Sequence, residues 1–237
     1  KYSDMMIRKK TGAANRKVQK LMNLMNMETV HVAWDFLKEN GLKALILKSK
    51  HKIQGIDDDY DYAEWWNLTK PSEEELEAQK KETFEYMPKF SIVIPVYKTP
   101  EKFLKEMLDS IVEQTYANWE LCIADGSPDG ESVENVLKKY AEKDSRIRYK
   151  VLGENFGISG NTNAALEMAE GDFVVLADHD DRLTPNALFE CAKKLNENRS
   201  CDVLYSDEDK LDMDGDELFD PHFKPDFNPD LLTSVNY

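Results

Sequence analysis

The sequence predicts an α/β protein: a mainly parallel sheet flanked by helices, preceded by a helical N-terminal extension. Three observations predict it. Short β-branched runs such as residues 91–96 leave no polar face, as strands buried on both sides do. Helical apolar spacings alternate with these runs from residue 91 onward. Before Lys89 that alternation is missing, and the chain offers basic, acidic and amphipathic stretches instead. The boundary is therefore set after Pro88, dividing an extension over residues 1–88 from a sheet domain over residues 89–237.

In the extension, Arg8, Lys9, Lys10, Arg16, Lys17 and Lys20 precede Leu21, Met22, Leu24, Met25 and Met27 at helical spacing. Such a helix suits packing on a neighbouring element or another chain, and peripheral contact with an anionic membrane surface stays open. Residues 31–48 continue as a helix into an apolar stretch. Asp57, Asp58, Asp59 and Asp61 form an acidic loop ahead of Tyr62, Trp65 and Trp66, aromatics suited to anchoring the segment. Pro71-Ser72 then opens a charged helix whose first turn carries Glu73, Glu74 and Glu75, where carboxylates suit the helix dipole.

The sheet domain begins with the strand at 91–96. Thr99-Pro100 supplies a cap and a first-turn proline for a helix with Phe103, Met107, Leu108, Ile111 and Val112 on one face. The unit then recurs. Strands at 119–124, 147–152 and 173–177 alternate with helices marked by Val133, Val136, Leu137 and Tyr140, by Ala164, Ala165, Leu166 and Met168, and by Leu188, Phe189, Ala192 and Leu195. Thr184-Pro185 caps the last of these, and residues 203–205 read as a further short strand. Met213-Asp214-Gly215-Asp216 is a turn signal in an excursion from the sheet.

The formal net charge of -15 argues against a nucleic-acid partner, which would ask for a basic field. Cys122, Cys191 and Cys201 have no metal-ligand spacing and read as small thiols in a reducing compartment. With no signal-like segment and no apolar run near the length of a membrane span, the expectation is a cytoplasmic protein, with attachment to the inner membrane face left open.

In open α/β sheets ligands collect beyond the carboxyl ends of parallel strands. The loops expected there carry the unusual polar residues: Pro95-Val96-Tyr97, Asp125-Gly126-Ser127, residues 153–161, and Asp178-His179-Asp180-Asp181. Crowded carboxylates in the last loop repel one another unless a cation or donors compensate, and hard oxygen ligands suit magnesium or manganese. Capping of the following helix accounts for the same residues, and one aspartate is free to cap while others ligate. His179 reads as a packing or hydrogen-bonding residue. Asp125 suits either a base or ribose contact or a plain Asx turn. The glycines Gly153, Gly157 and Gly160 would admit a nucleotide close to the backbone. There is no glycine-rich dinucleotide fingerprint after the first strand and no phosphate-loop lysine.

These segments, in this order, resemble the family-2 glycosyltransferases, inverting enzymes of the GT-A fold. The resemblance is carried by Ser91-Ile92-Val93-Ile94-Pro95-Val96-Tyr97, Ser110-Ile111-Val112-Glu113-Gln114-Thr115-Tyr116, Asp125-Gly126-Ser127, Glu154-Asn155-Phe156-Gly157, Asn161-Thr162-Asn163-Ala164-Ala165 and Leu176-Ala177-Asp178-His179-Asp180-Asp181. Tyr205-Ser206-Asp207-Glu208-Asp209-Lys210 and the tail from Phe219 are similar to a subgroup that builds bacterial rhamnose-containing or related surface polysaccharides.

The resemblance implies a UDP- or dTDP-sugar donor and a glycan or lipid-linked acceptor. It places Pro95, Val96 and Tyr97 in the base pocket and Asp125 on the uracil or thymine edge. Asp178 is implied at the ribose or sugar, Asp180 and Asp181 on a manganese or magnesium ion, and Asn155 and Asn163 in ordering the loop over the nucleotide. Asp207 and Glu208 are implied near the sugar or acceptor. Three departures stand out. Ala124 replaces a frequent Asp, and Thr162 replaces a frequent basic residue. The family's general base is expected beyond Tyr237, so a chain of this span is expected to bind donor but turn over poorly. A donor-binding module without transfer, or a nucleotidyltransferase, are the alternatives; the latter would want a basic, glycine-rich loop where Tyr97-Lys98-Thr99-Pro100 offers only Lys98.

Overall fold

A computed structural model of the chain describes residues 62–128, 132–213, 215 and 218–234. The amphipathic run of the first thirty residues, the segment 31–48 and the acidic cluster at 57–61 lie outside the described residues. Chain order runs α1 (Tyr62–Thr69), α2 (Glu73–Gln79), β1 (Phe90–Val96), α3 (Glu101–Val112), β2 (Trp119–Asp125), α4 (Glu134–Lys143) and β3 (Ile147–Val151). It continues with α5 (Gly157–Leu166), β4 (Phe173–Leu176), α6 (Ala187–Glu197), β5 (Glu208–Leu211), β6 (Leu218–His222) and α7 (Pro229–Leu232). The described residues fall into two compact units: Pro71–Leu204, and a second that joins residues 62–70 with residues 205–234.

The larger unit holds the expected parallel sheet, in the order β3-β2-β1-β4, with every neighbouring pair parallel. Strand order reverses between β1 and β4, the kind of switch point beside which ligands bind in open α/β sheets. Alternation along the strands serves two faces. Ile92, Ile94, Val96, Leu121 and Ile123 meet Leu104, Met107, Leu108 and Ile111 of α3, Leu137 of α4, and Leu188 and Phe189 of α6 in one core. Val93, Cys122 and Ala124 meet Ala165 of α5 on the other face, in a thinner layer of small side chains. β4, at one edge of the sheet, is less covered: Val174 and Leu176 are exposed.

Before the sheet, α2 starts with a capping box. The Ser72 hydroxyl accepts from the Glu75 amide at 3.3 Å, and the Glu75 carboxylate accepts from the Ser72 amide at 2.7 Å. In the smaller unit, β5 and β6 pair antiparallel around the expected turn, where Gly215 has φ 81. Tyr62 of α1 stacks on Trp65, and Phe223 meets Trp65 edge-on with centroids 5.2 Å apart. Among the described residues no helix is long and apolar enough to cross a membrane.

Four local expectations are corrected. Thr99 does not cap α3: Pro100 occupies that position, and the Thr99 hydroxyl is buried without a hydrogen-bond partner. Thr184 does not cap α6 through its side chain; Gln114, from the end of α3, does the equivalent work. Its amide donates to the Thr184 carbonyl at 2.7 Å and accepts from the Leu188 amide at 3.0 Å. Residues 203–205 form no strand, because the run leads out of one unit into the other with no ladder partner, and Val203 is exposed. Finally, α5 starts at Gly157, several residues before the apolar spacing becomes visible, because the Asn155 side chain accepts from the Gly157 amide at 2.9 Å and turns the chain into the helix.

Candidate functional site

The carboxyl end of the sheet gathers the loops after β1, β2 and β3 around residues 125–127. Asp125 ends β2 fully buried. One carboxylate oxygen accepts from the Ser127 amide at 2.9 Å, the Asx-turn bond; the other accepts from the Ser132 hydroxyl at 2.7 Å and the Val133 amide at 3.3 Å, at the entry to α4. Gly126 donates its amide to the Val96 carbonyl at 2.9 Å, which ties the loop to β1. The buried Ser127 hydroxyl accepts from the Lys98 amide at 2.8 Å. Lys98 has φ 51, an uncommon conformation for a residue with a side chain, and this bond helps to hold it there. The result fixes the reversal after β1. Pro95 and Val96 are buried in it, while the Tyr97 ring remains 41% exposed.

On the β3 side, Gly153 and Gly157 have φ 76 and 73 with open space where a Cβ would stand, so here the requirement for glycine is conformational. Asn155 and Asn163 are exposed. Asn161 is buried at 2% exposure and joins Asn155 to Phe156: its Nδ2 donates to Asn155 Oδ1 at 3.0 Å, and its Oδ1 accepts from the Phe156 amide at 3.1 Å.

The fourth loop leaves β4 beside β1, where the Ala177 amide reaches the Val93 carbonyl at 3.5 Å. Asp178, Asp180 and Asp181 are exposed, and His179 Nδ1 lies 3.5 Å from Asp180 Oδ1. A turn follows, closed by the Asp181 amide on the Asp178 carbonyl at 3.4 Å. The segment after it is anchored to α3 and its C-terminal end: the Leu183 amide donates to the Ser110 hydroxyl at 3.2 Å, and the Thr115 amide to the Pro185 carbonyl at 2.8 Å. With Gln114, these contacts fix the stem of the aspartate loop from a helix seventy residues away in sequence.

Among the described residues no group of three His, Cys, Asp or Glu converges as a self-sufficient metal cage. Two exposed aspartates still fit a hard cation of the magnesium or manganese kind. Such ions commonly take one or two protein carboxylates and complete their shell with phosphate oxygens and water. Asp207 and Glu208 belong to the smaller unit and are engaged within it. Asp207 accepts from the Lys224 amide at 2.7 Å. Glu208 meets His222 at 3.1 Å and Lys224 at 3.3 Å, and the hydrogen bond from His222 lowers its carboxyl below the usual range despite some burial.

Sequence reasoning gave no role to Ser110, Gln114, Ser127 or Asn161, although all four lie in the quoted motifs. Asn161 had a legible signal: a second amide side chain six residues after Asn155, spanning the glycine-marked start of a helix.

The opposite, amino end of the sheet is also polar and carries a cleft lined by Lys89, Glu120, Arg146, Arg148 and Glu170, whose charges are largely paired with one another. Glu120 is buried among Lys89 Nζ at 2.6 Å, Arg148 Nη2 at 2.7 Å and Ser91 Oγ at 2.6 Å, with the Glu170 amide donating to the same carboxylate. Burial pushes the Glu120 carboxyl up, but bonds from Lys89, Ser91 and the Glu170 backbone and the charge of Arg148 bring it down to about 2. Beside it, a Cβ on Gly171 would lie 2.5 Å from the Lys89 carbonyl, so only glycine lets the chain enter β4.

Comparison with known proteins places the chain in a family. The glycosyl transferase family 2 profile matches residues 91–230, and the chain belongs to this family. It is 41% identical over 150 residues to the uncharacterized protein y4gI of Sinorhizobium fredii, covering 63% of this chain and 16% of that protein. It is 34% identical over 177 residues to the O-antigen biosynthesis protein RfbC of Myxococcus xanthus, covering 75% of this chain and 14% of that protein. The chain thus spans about a seventh of the length of these curated relatives. Among solved structures, S. aureus TarS 1-349 in complex with UDP-GlcNAc is 30% identical with a TM-score of 0.43, covering 47% of this chain and 32% of that one.

Proposed function

We propose that this domain binds a UDP- or dTDP-linked sugar beyond the carboxyl ends of β1, β2 and β4 and transfers the sugar, with inversion, to a glycan or lipid-linked acceptor in bacterial surface-polysaccharide synthesis. The observation that carries the reading is the convergence on residues 125–127 of the loops after β1, β2 and β3, beside the aspartate loop of β4, in a chain of glycosyl transferase family 2. The likeness to an O-antigen biosynthesis protein supports surface polysaccharide as the product class.

In this reading Pro95, Val96 and Tyr97 form the base pocket unequally: Pro95 and Val96, buried at the end of β1, set its floor, and the exposed Tyr97 is its stacking surface. Asp125 is fully buried and already accepts from three donors of its own loop, so it shapes that pocket first, and a bond to the base edge would use the acceptor capacity left over. Asn155 and Asn163 order the loop over the nucleotide, and Asp178 meets the ribose or the sugar. Asp180 and Asp181 would hold manganese or magnesium, which when bound neutralises charge on a departing diphosphate. The acceptor hydroxyl oxygen bonds to the anomeric carbon as the bond to the diphosphate oxygen breaks on the opposite face, and its proton passes to a base. No residue of this chain is assigned as that base.

Calorimetry with UDP- and dTDP-sugars, with manganese and after chelation, tests the reading. Binding should depend on metal, and Asp180→Ala should remove most of the metal contribution. Absence of binding across the donor panel would overturn the function. Binding that ignores both chelation and Asp180→Ala would overturn the metal assignment alone.

A further inference from the structure

We infer that Asn161 is the positioning residue of the nucleotide site: it locks the loop after β2 against the entry to α5 and turns the Asn155 amide so that its NH2 group is offered to the ligand. The inference rests on the proposed donor site and goes beyond it, because Asn161 itself need not touch a nucleotide.

Three observations converge. First, the Asn161 side chain is buried at 2% exposure and is used in both directions, accepting from the Phe156 amide and donating to Asn155 Oδ1. Second, Asn155 Oδ1 also accepts from the Gly157 amide at 2.9 Å, so its carbonyl side is committed to two donors of its own loop. Its Nδ2 has no protein acceptor among the described residues, and the side chain is exposed. An amide held in this way presents donors, the chemistry suited to a phosphate or hydroxyl oxygen. Third, Gly126 lies flush against the Asn161 amide: a Cβ there would stand 2.5 Å from Nδ2 and 2.9 Å from Oδ1. Gly126 is bonded to Val96 and flanked by Asp125 and Ser127, so one buried amide touches the loops after β2 and β3, and through Gly126 reaches the end of β1.

Glycine at 126 and asparagine at 161 are therefore a coupled pair. A methyl group at 126 must displace the Asn161 amide, whereas an alanine at 161 makes room for it. This predicts strong non-additivity.

The test uses the full chain, with UDP and manganese as the probe, at a temperature well below melting so that every variant is folded. Asn161→Ala should weaken UDP by about tenfold or more, the scale of one lost buried hydrogen-bond network. Gly126→Ala should weaken it comparably in the native background and add little in the Asn161→Ala background. Hydrogen exchange on the ligand-free chain should show the Phe156 and Gly157 amides losing protection in Asn161→Ala while strand amides keep theirs. If Asn161→Ala does not fold, Asn161→Ser carries the same expectations. Native UDP affinity in the Asn161 variants, additive effects of the two substitutions, or unchanged exchange at 156–157 would each overturn the inference. Failure of the native chain to bind UDP or any donor would instead overturn the functional reading and the positioning role with it, while the exchange experiment would still decide whether the lock exists.

Discussion

The two ends of the parallel sheet are both polar, yet they solve opposite problems. At the amino end, Glu120 is buried and matched by Lys89, Arg148 and Ser91, with the Glu170 amide donating to it. Arg146 lies over the Trp119 ring and pairs with Asp144 at 2.6 Å. Charge there answers charge, pair by pair, around an open cleft that Lys89, Arg146 and Arg148 line. At the carboxyl end, the buried polar groups Asp125, Ser127 and Asn161 bond to backbone and side chains of their own loops, while Tyr97, Asn155, Asp178, Asp180 and Asp181 stay exposed. One end spends its polar groups on cohesion; the other divides them between fixing loops and facing solvent. The difference teaches that burial alone does not mark a ligand site. A perturbed carboxylate such as Glu120 sits where its charge is already matched by neighbouring cations.

The contrast breaks most readily at Glu120. Glu120→Ala leaves Lys89 and Arg148 without their shared partner and should cost about 3 kcal/mol in denaturant unfolding, since both cations keep access to solvent. Nucleotide affinity of the folded fraction should be unchanged; a parallel loss of affinity would mean that the two ends are coupled. Acid titration sharpens the same point. The Glu120 carboxyl is lowered to about 2 from an ordinary value of 4.5, so its stabilisation is present above 4.5 and lost as pH falls from there towards 2. On the order of 3 kcal/mol of the acid sensitivity should come from this group. Unfolding followed from pH 6 to pH 2 should show that slope in the native chain and a shallower one in Glu120→Gln.

Gln114→Ala removes both bonds at the start of α6 and should cost about 1–3 kcal/mol. Because Gln114 supports the stem of the aspartate loop, metal-dependent donor binding should weaken as well, unlike the result at Glu120. Thermal melts with and without UDP and manganese distinguish the two. Ser72→Ala, at the exposed capping box of α2, sets the lower end: about 1 kcal/mol in melting, with donor affinity untouched.

Much of the fold was legible because parallel strands buried on both faces carry a strong local signal. The strand expected at 91–96 is Phe90–Val96, and that at 119–124 is Trp119–Asp125. What sequence could not show lies in long-range partners. Thr184-Pro185 looked self-capping, but the helix start is satisfied by Gln114, seventy residues earlier. Glycine density around Gly157 hid the first turns of α5, since the turn into that helix depends on an Asn155 side-chain bond and not on apolar spacing. At the site, the motifs brought out Asp125 and the aspartate run, and the Asx turn at Asp125 is present. The bonds that make Asp125 a loop organiser come from Ser132 and Val133, residues with no local reason to be chosen.

The edge strand β4 has a consequence for handling the protein. Along one side it pairs with β1, and among the described residues it has no strand along the other. Its Val174 and Leu176 side chains are exposed along that edge. Such an edge can accept a further strand, and a net charge of -15 opposes a second copy supplying it. Colloidal stability should therefore be governed by buffer: dilute salt near neutrality keeps molecules apart, whereas high salt, or acid near the isoelectric point of 4.8, removes the repulsion and leaves the strand edge to direct association.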